Sequence, residues 1–228
     1  YVQAKEFLQE NLEIMRELGD QFSIANSLNN LGEVSRVQGE YLKAKQYYQK
    51  SLEIRRGISE QMGVAVSLNN LGGVACTLGE YKEAKGFLQE SLEIFSRLGT
   101  RREQAYPLSI LGCVARDLGD YGESLTYYQE ALKICMETQN VSKALDVLTE
   151  IALLLAKRGE KRQSVELVAL VIHHSATQTK TKCDAKDILS ELEAELSSEV
   201  VAAAHERGQK QRLKDVVKDI LDVSHDCH

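Results

Sequence analysis

Proline and tryptophan are nearly missing from this chain, which has one Pro and no Trp in 228 residues. With so few helix-breakers, and with Leu, Ala, Glu, Lys and Gln abundant, the composition favours an all-helical protein. Long apolar runs are missing too. No stretch approaches the roughly 18 apolar residues that a spanning helix needs, and no signal-peptide pattern is found. We therefore expect a cytoplasmic chain with no membrane partner. A surplus of positive charge is also absent: 28 Lys and Arg face 34 Asp and Glu, for a net charge of −6 at pH 7. Phosphate contacts need a basic stripe, so direct nucleic-acid binding is not expected. The five cysteines, Cys76, Cys113, Cys135, Cys183 and Cys227, contain no Cys-x-x-Cys pair and read as reduced thiols that pack as small residues. No Gly-x-x-x-x-Gly-Lys-Ser/Thr loop and no nucleophile–base constellation is found, so neither catalysis nor a cofactor is expected of this segment. His225-Asp226-Cys227-His228 has metal-ligand residue types, but four adjacent residues do not easily wrap one tetrahedral ion. No metal is expected there, and His173-His174 reads as loop surface.

What the chain does have is itself, repeated. SLNNLGEVSRVQGEYLKAKQYYQKSLEI at 27–54 returns as SLNNLGGVACTLGEYKEAKGFLQESLEI at 67–94 and as PLSILGCVARDLGDYGESLTYYQEALKI at 107–134. A worn copy, VLTEIALLLAKRGEKRQSVELVALVI, fills 147–172, and Gly39, Gly79, Gly119 and Gly159 stand forty residues apart without slippage. A fixed period of this size marks a solenoid, one supersecondary unit stacked on its copies. Within a copy, Leu28, Leu31, Val34 and Val37 form one helical face, Gly39 stops that helix, and Tyr41, Ala44, Tyr48 and Leu52 carry a second. Gly32, Gly72 and Gly112 sit inside the first helix, where each costs about 1 kcal/mol relative to Ala. Their retention implies a partner helix passing too close for a β-carbon, with Ala44, Ala84 and Ser124 expected opposite.

Leu-Gly, then Gly-Glu/Asp-Tyr, then Ala, then an aromatic or Leu resembles the tetratricopeptide repeat. Two departures are visible. Leu28, Leu68 and Leu108 stand where that family has an aromatic, and each copy exceeds the 34-residue consensus by six. Kinesin light chains and Pins/LGN-type adaptors carry similarly lengthened repeats. The resemblance implies an all-α, right-handed α–α superhelix: a solenoid of antiparallel helix pairs.

Taken in order, 1–20 reads as a half repeat, because Tyr1 aligns with Tyr41, Tyr81 and Tyr121 and because Ala4, Leu8 and Leu12 repeat the buried positions. The chain is read as a piece of something longer. Repeats follow at about 21–60, 61–100, 101–140 and 141–175, with helices expected at 21–38, 41–57, 62–78, 81–97, 102–118, 121–138, 141–158 and 161–175. Pro107 either kinks its helix or restarts it. Residues 180–223 are expected to form a helical cap, with Leu213, Val216, Val217, Ile220 and Leu221 buried against the helices that contain Leu192 and Leu196. This tail, with ELEAELSSEVVAAAHERGQ at 191–209, resembles the C-terminal end of large bacterial signalling and transcription regulators of the switch-ATPase type. In those proteins the repeat array is a sensor arm.

The candidate binding face follows from the pair geometry of that family, in which first helices line the concave side. Leu28 and Leu31 claim the buried side, which leaves Asn29, Asn30, Asn69 and Asn70 turned to the groove or to the next repeat. An amide offers both donors and an acceptor, so it can hold a peptide backbone without reading its side chains. The resemblance to kinesin light chains, whose groove asparagines hold extended peptides, implies the same role. The other reading is that the amides only order the stack. Glu33, Arg36, Gly73, Cys76, Cys113, Arg116 and Asp117 should line the same wall, with Arg36, Arg116 and Tyr106 giving specificity. The expected partner is an extended protein or peptide segment, and the alternative role is a scaffold or self-association module.

Overall fold

The computed structural model describes residues 2–222, with side chains from Glu6 onward. Tyr1, the Ala4 side chain, Val223 and the run His225-Asp226-Cys227-His228 lie outside them. Twelve α-helices and no strand occur among the described residues. In order they are α1 (Val2–Leu18), α2 (Gln21–Val37), α3 (Tyr41–Gly57), α4 (Gln61–Thr77), α5 (Tyr81–Arg97), α6 (Ala105–Asp117), α7 (Tyr121–Glu137), α8 (Val141–Lys157), α9 (Lys161–His173), α10 (Thr179–Glu195), α11 (Ser198–Lys210) and α12 (Leu213–Asp222). A 3-10 turn over Arg101–Gln104 precedes α6. Pro107 therefore stands in the first turn of a restarted helix, where its missing N–H has no intrahelical acceptor to lose.

The stops recur every twenty residues. Gly19, Gly39, Gly79, Gly99, Gly119 and Gly159 all have positive φ, between +69° and +86°. Ser59 and Gln139 fill the two remaining places of that series at φ 58° and 54°, a left-handed conformation that disfavours L-residues with a β-carbon. Each stop is closed from behind, as where Gly39 N donates to Arg36 O at 3.1 Å and Glu40 N to Ser35 O at 2.8 Å. Connections this short leave successive helices antiparallel and adjacent.

The chain divides into two compact units between Val114 and Ala115. In the first, α2 packs on α3, α3 on α4, and α4 on α5. Its core holds Ala44, Tyr48, Leu52, Leu68, Leu71 and Phe95, with a second cluster of Leu12, Ile24, Leu28 and Leu31. Gly32 and Gly72 are where helices meet closely, as expected, but the nearest atoms belong to larger side chains than Ala44 and Ala84. A β-carbon on Gly32 would lie 2.6 Å from Tyr48 Cε1, and one on Gly72 would lie 2.5 Å from Leu88 Cγ. Large side chains thus lie over the glycines, one turn beyond the buried Ala44 and Ala84. Within each copy, Ser51 Oγ and Ser91 Oγ donate to Ala25 O and Ala65 O at 2.9 and 2.8 Å, tying the second helix to the first. Arg55 is buried. It donates to Asn26 Oδ1 at 2.7 Å and pairs with Glu60, in space that Gly63 leaves by lacking a side chain.

In the second unit α9 is buried along almost its whole length, from Val165 through Ile172 except Glu166. α8, α10 and α11 all pack on it, and α10 also touches α8. Gly208 is the point of closest approach: a β-carbon there would lie 2.1 Å from Glu166 O. Beside it, Arg207 Nε donates to Glu166 Oε1 at 2.7 Å. α12 differs from expectation. Leu213, Val216 and Val217 are buried, but α12 lies on α7, where Gln129 Nε2 donates to Ile220 O at 2.7 Å. Leu196 is not helical; it ends α10 in extended backbone. His173 closes α9 instead of lying in a loop, edge-on to His205 with ring centroids 5.3 Å apart.

Candidate functional site

In the first unit the outer face of α2 and α4, with α6 as far as Val114, carries most of the candidate residues. Leu28, Leu31, Leu68 and Leu71 are buried, which turns the residues between them outward. Asn30 and Glu33 are exposed, while Asn29, Asn69 and Asn70 are half-buried. Asn70 Nδ2 donates to Asn29 Oδ1 at 3.0 Å, so these two amides tie one copy to the next. Asn69 Oδ1 is buried and has no hydrogen-bond partner.

One turn on, Glu33 and Arg36 form a two-pronged ion pair, with Arg36 Nε and Nη2 at 2.8 and 2.5 Å from the carboxylate. Tyr48 Oη donates to the same carboxylate at 3.1 Å. Hydrogen bonding to Glu33 holds the Arg36 guanidinium still more firmly protonated than usual, against the opposing effect of burial. Burial, and then the Glu33 charge, push the Tyr48 hydroxyl above the ordinary phenol range. Arg36 is thus committed to a neighbour. The next copy lacks this arrangement: Gly73, Cys76 and Leu88 stand in register with Glu33, Arg36 and Tyr48. A β-carbon on Gly73 would meet Ile110 Cδ1 at 3.6 Å. Cys76 and Cys113 are half-buried, and Tyr106 is 40% exposed.

Arg116 and Asp117 belong to the second unit. Arg116 is only 8% exposed. Its Nε donates to Asp117 Oδ1 at 2.9 Å, and its Nη1 to Glu150 Oε2 at 2.5 Å and Tyr128 Oη at 3.4 Å. Asp117 is exposed and Glu150 half-buried. The same face carries Asp146, bonded by Thr181 Oγ1 at 2.5 Å. Burial pushes the Asp184 carboxyl up; Lys180 opposes this, and Glu150, Asp187 and Asp146 add to it.

Among the candidates, Asn29 meets Asn70, Glu33 meets Arg36, and Arg116 meets Asp117. The partners the residue pattern did not suggest are Tyr48 and Tyr128, whereas Glu150 stands in register with Asn30 and Asn70 on the same face of its copy. A signal was present, because Arg36 and Arg116 are each followed twelve residues later by a Tyr, and Cys76 is followed by Leu88. No group of three His, Cys, Asp or Glu side chains is placed to hold a metal among the described residues. No helix among them is long and apolar enough to cross a membrane.

The family model described as Tetratricopeptide repeat matches residues 1–57 and 63–137, more than half of the chain. Among solved structures, BtubC (BKLC) from P. vanneervenii superposes with a TM-score of 0.67 at 14% identity, covering 99% of this chain and 92% of that one. That likeness shows the fold, an all-α superhelix of helix pairs. YrrB, described as a TPR protein with an unusual peptide-binding site, gives 0.48 at 18% identity, covering 91% and 96%. A tetratricopeptide repeat protein from Parabacteroides merdae gives 0.38 at 16%, covering 97% and 99%. No curated protein matches this chain.

Proposed function

The chain belongs to the tetratricopeptide repeat family, and from that premise we propose that it is a non-catalytic module binding an extended protein segment along its first helices. In this reading residues 1–175 form the array, 180–223 cap it, and the whole serves as the cytoplasmic sensing arm of a larger bacterial signalling or transcription regulator. The sensing role rests on the resemblance of the tail at 191–209. The ligand-binding role rests chiefly on Asn30, an exposed amide on the outer face of α2 with no hydrogen bond to the rest of the chain. An amide left in this state is ready for a peptide backbone. Arg36 contributes less, because it is already held by the Glu33 carboxylate and serves to fix the wall of α2; in the second unit Arg116 is likewise held, by Asp117 and Glu150.

The test is a displayed library of linear dodecapeptides panned against the protein. Asn30→Ala should leave melting unchanged and weaken the selected peptides about fivefold to tenfold, the worth of one hydrogen bond. Unchanged affinity would remove Asn30 from the site.

A further inference from the structure

The C-terminal end of α9 and the last turns of α11 meet at a polar cluster that the candidate binding face does not use. Gln209 Nε2 lies 2.8 Å from His173 Nε2 and 3.1 Å from His205 Nδ1. An amide nitrogen only donates, so both imidazoles are neutral and turn a bare lone pair toward one point. Each ring then carries its proton on the far nitrogen, Nδ1 of His173 and Nε2 of His205. The rings stand edge-on at 81°, with centroids 5.3 Å apart. His174 is committed elsewhere, its Nδ1 accepting from Ala176 N at 3.2 Å. The placement has a local cause. His205 and Gln209 are four residues apart and share one face of α11. Gly208, which has no β-carbon, lets α11 come up against the backbone of α9.

We propose that His173, His205 and Gln209 form a binding site for a divalent transition-metal ion of the zinc type. Neutral imidazole suits Zn²⁺, Cu²⁺ and Ni²⁺, and the ion takes the place of the amide hydrogens as the shared partner of the two lone pairs. Zinc–nitrogen bonds are about 2.0–2.1 Å long, so each ring closes on the ion by about 1 Å. His173 is exposed and His205 half-buried, which leaves both rings room to turn. Rotating the terminal amide of Gln209 presents Oε1 as a third ligand, and water from the open side takes the fourth place. Mg²⁺ and Ca²⁺ require an oxygen-rich shell that two imidazoles and one amide do not supply. The site belongs wholly to the second unit and is independent of the peptide-binding reading. It adds a second cross-link between helices that Arg207 and Glu166 already join.

The test is calorimetric titration with Zn²⁺ of the full chain carrying His225→Ala, Cys227→Ser and His228→Ala, which removes the competing ligand types near the end of the sequence. One equivalent should bind, and Mg²⁺ should not compete. His173→Ala and His205→Ala should each weaken binding by at least the roughly 10–100-fold that loss of a mere supporting residue costs a metal site. Gln209→His should tighten it by offering a third imidazole, while His174→Ala and Cys183→Ser should leave it unchanged. At one equivalent the ring NMR signals of His173 and His205 should shift together in the parent chain, a readout that does not depend on any ligand variant folding. Amide exchange in α11 should slow with Zn²⁺, except in His205→Ala. No binding by the tail-substituted chain, equal binding after loss of either imidazole, or shifts confined to His174 would each overturn the site.

Discussion

Replacing Gly208 by Ala tests how the last helices cover the array. A β-carbon there would stand 2.1 Å from Glu166 O, and the second nearest atom, Ala169 Cβ, is at 2.8 Å. The obstacle is the backbone of α9, which has no rotamer to change, so α11 must move away by about 1 Å to reach ordinary contact distance. Overpacking of this kind costs about 1–3 kcal/mol. Ala in place of Gly returns about 1 kcal/mol of helix propensity, and because the obstacle is backbone the cost sits toward the upper end of that range, leaving a net loss of up to about 2 kcal/mol. The movement also loosens Val201 and Ala204, the other buried residues of α11, and stretches the Arg207–Glu166 pair. Hydrogen exchange is the better assay, because a stacked array need not melt in one step. Amides of α11 and the outer side of α9 should exchange faster, roughly tenfold for about 1.4 kcal/mol, while α2 to α5 keep their protection. Unchanged protection in α11, with unchanged melting, would refute the close packing of α11 on α9.

Ser59→Gly and Gln139→Gly should each raise stability by about 0.5–1 kcal/mol, because they relieve a left-handed residue in the stop series; a lower melting temperature would contradict this. Arg116→Ala should cost about 2 kcal/mol by stranding Glu150 and Asp117 around a buried position, whereas Arg36→Ala, in a more exposed pair, should cost under about 1 kcal/mol. Urea titrations of both variants give the comparison. Asp184→Asn bears on pH. The native carboxyl titrates above its unfolded value, so the folded chain binds more protons between the two, and stability falls as pH rises through that window. The Asn variant should melt higher at neutral pH, and the gap should close below about pH 3.5, where both states are protonated. A gap that persists there would refute the cause given.

The periodic elements were legible in the residues because each is punctuated locally. A stop every twenty residues sets the ends, and the expected helices at 21–38, 41–57, 62–78 and 81–97 agree within a residue with α2 to α5. Ser59 and Gln139 show that the position, not glycine itself, carries the punctuation. Contacts that depend on where helices cross were not legible. The close neighbour of Gly32 proved to be the Tyr48 ring, and α12 chose α7 over α10, because long-range packing has no period to read. The candidate face was half legible. Alternation with Leu28 and Leu31 turned Asn30 outward, and the Asn70–Asn29 bond is of the stack-ordering kind held open above, yet nothing in one copy foretold which amides would make it or that Asn69 Oδ1 would be left without a partner. Those outcomes come from comparing neighbouring copies in three dimensions.

The central claim is that ligands lie along the first helices. Its most direct test is the hydrogen-exchange footprint of a library-selected linear peptide on the wild-type protein. The account predicts slower exchange centred on α2, α4 and the start of α6, with α3 and α5 unchanged. Protection confined to α3 and α5, or to the junction of α10 with α11, would contradict it.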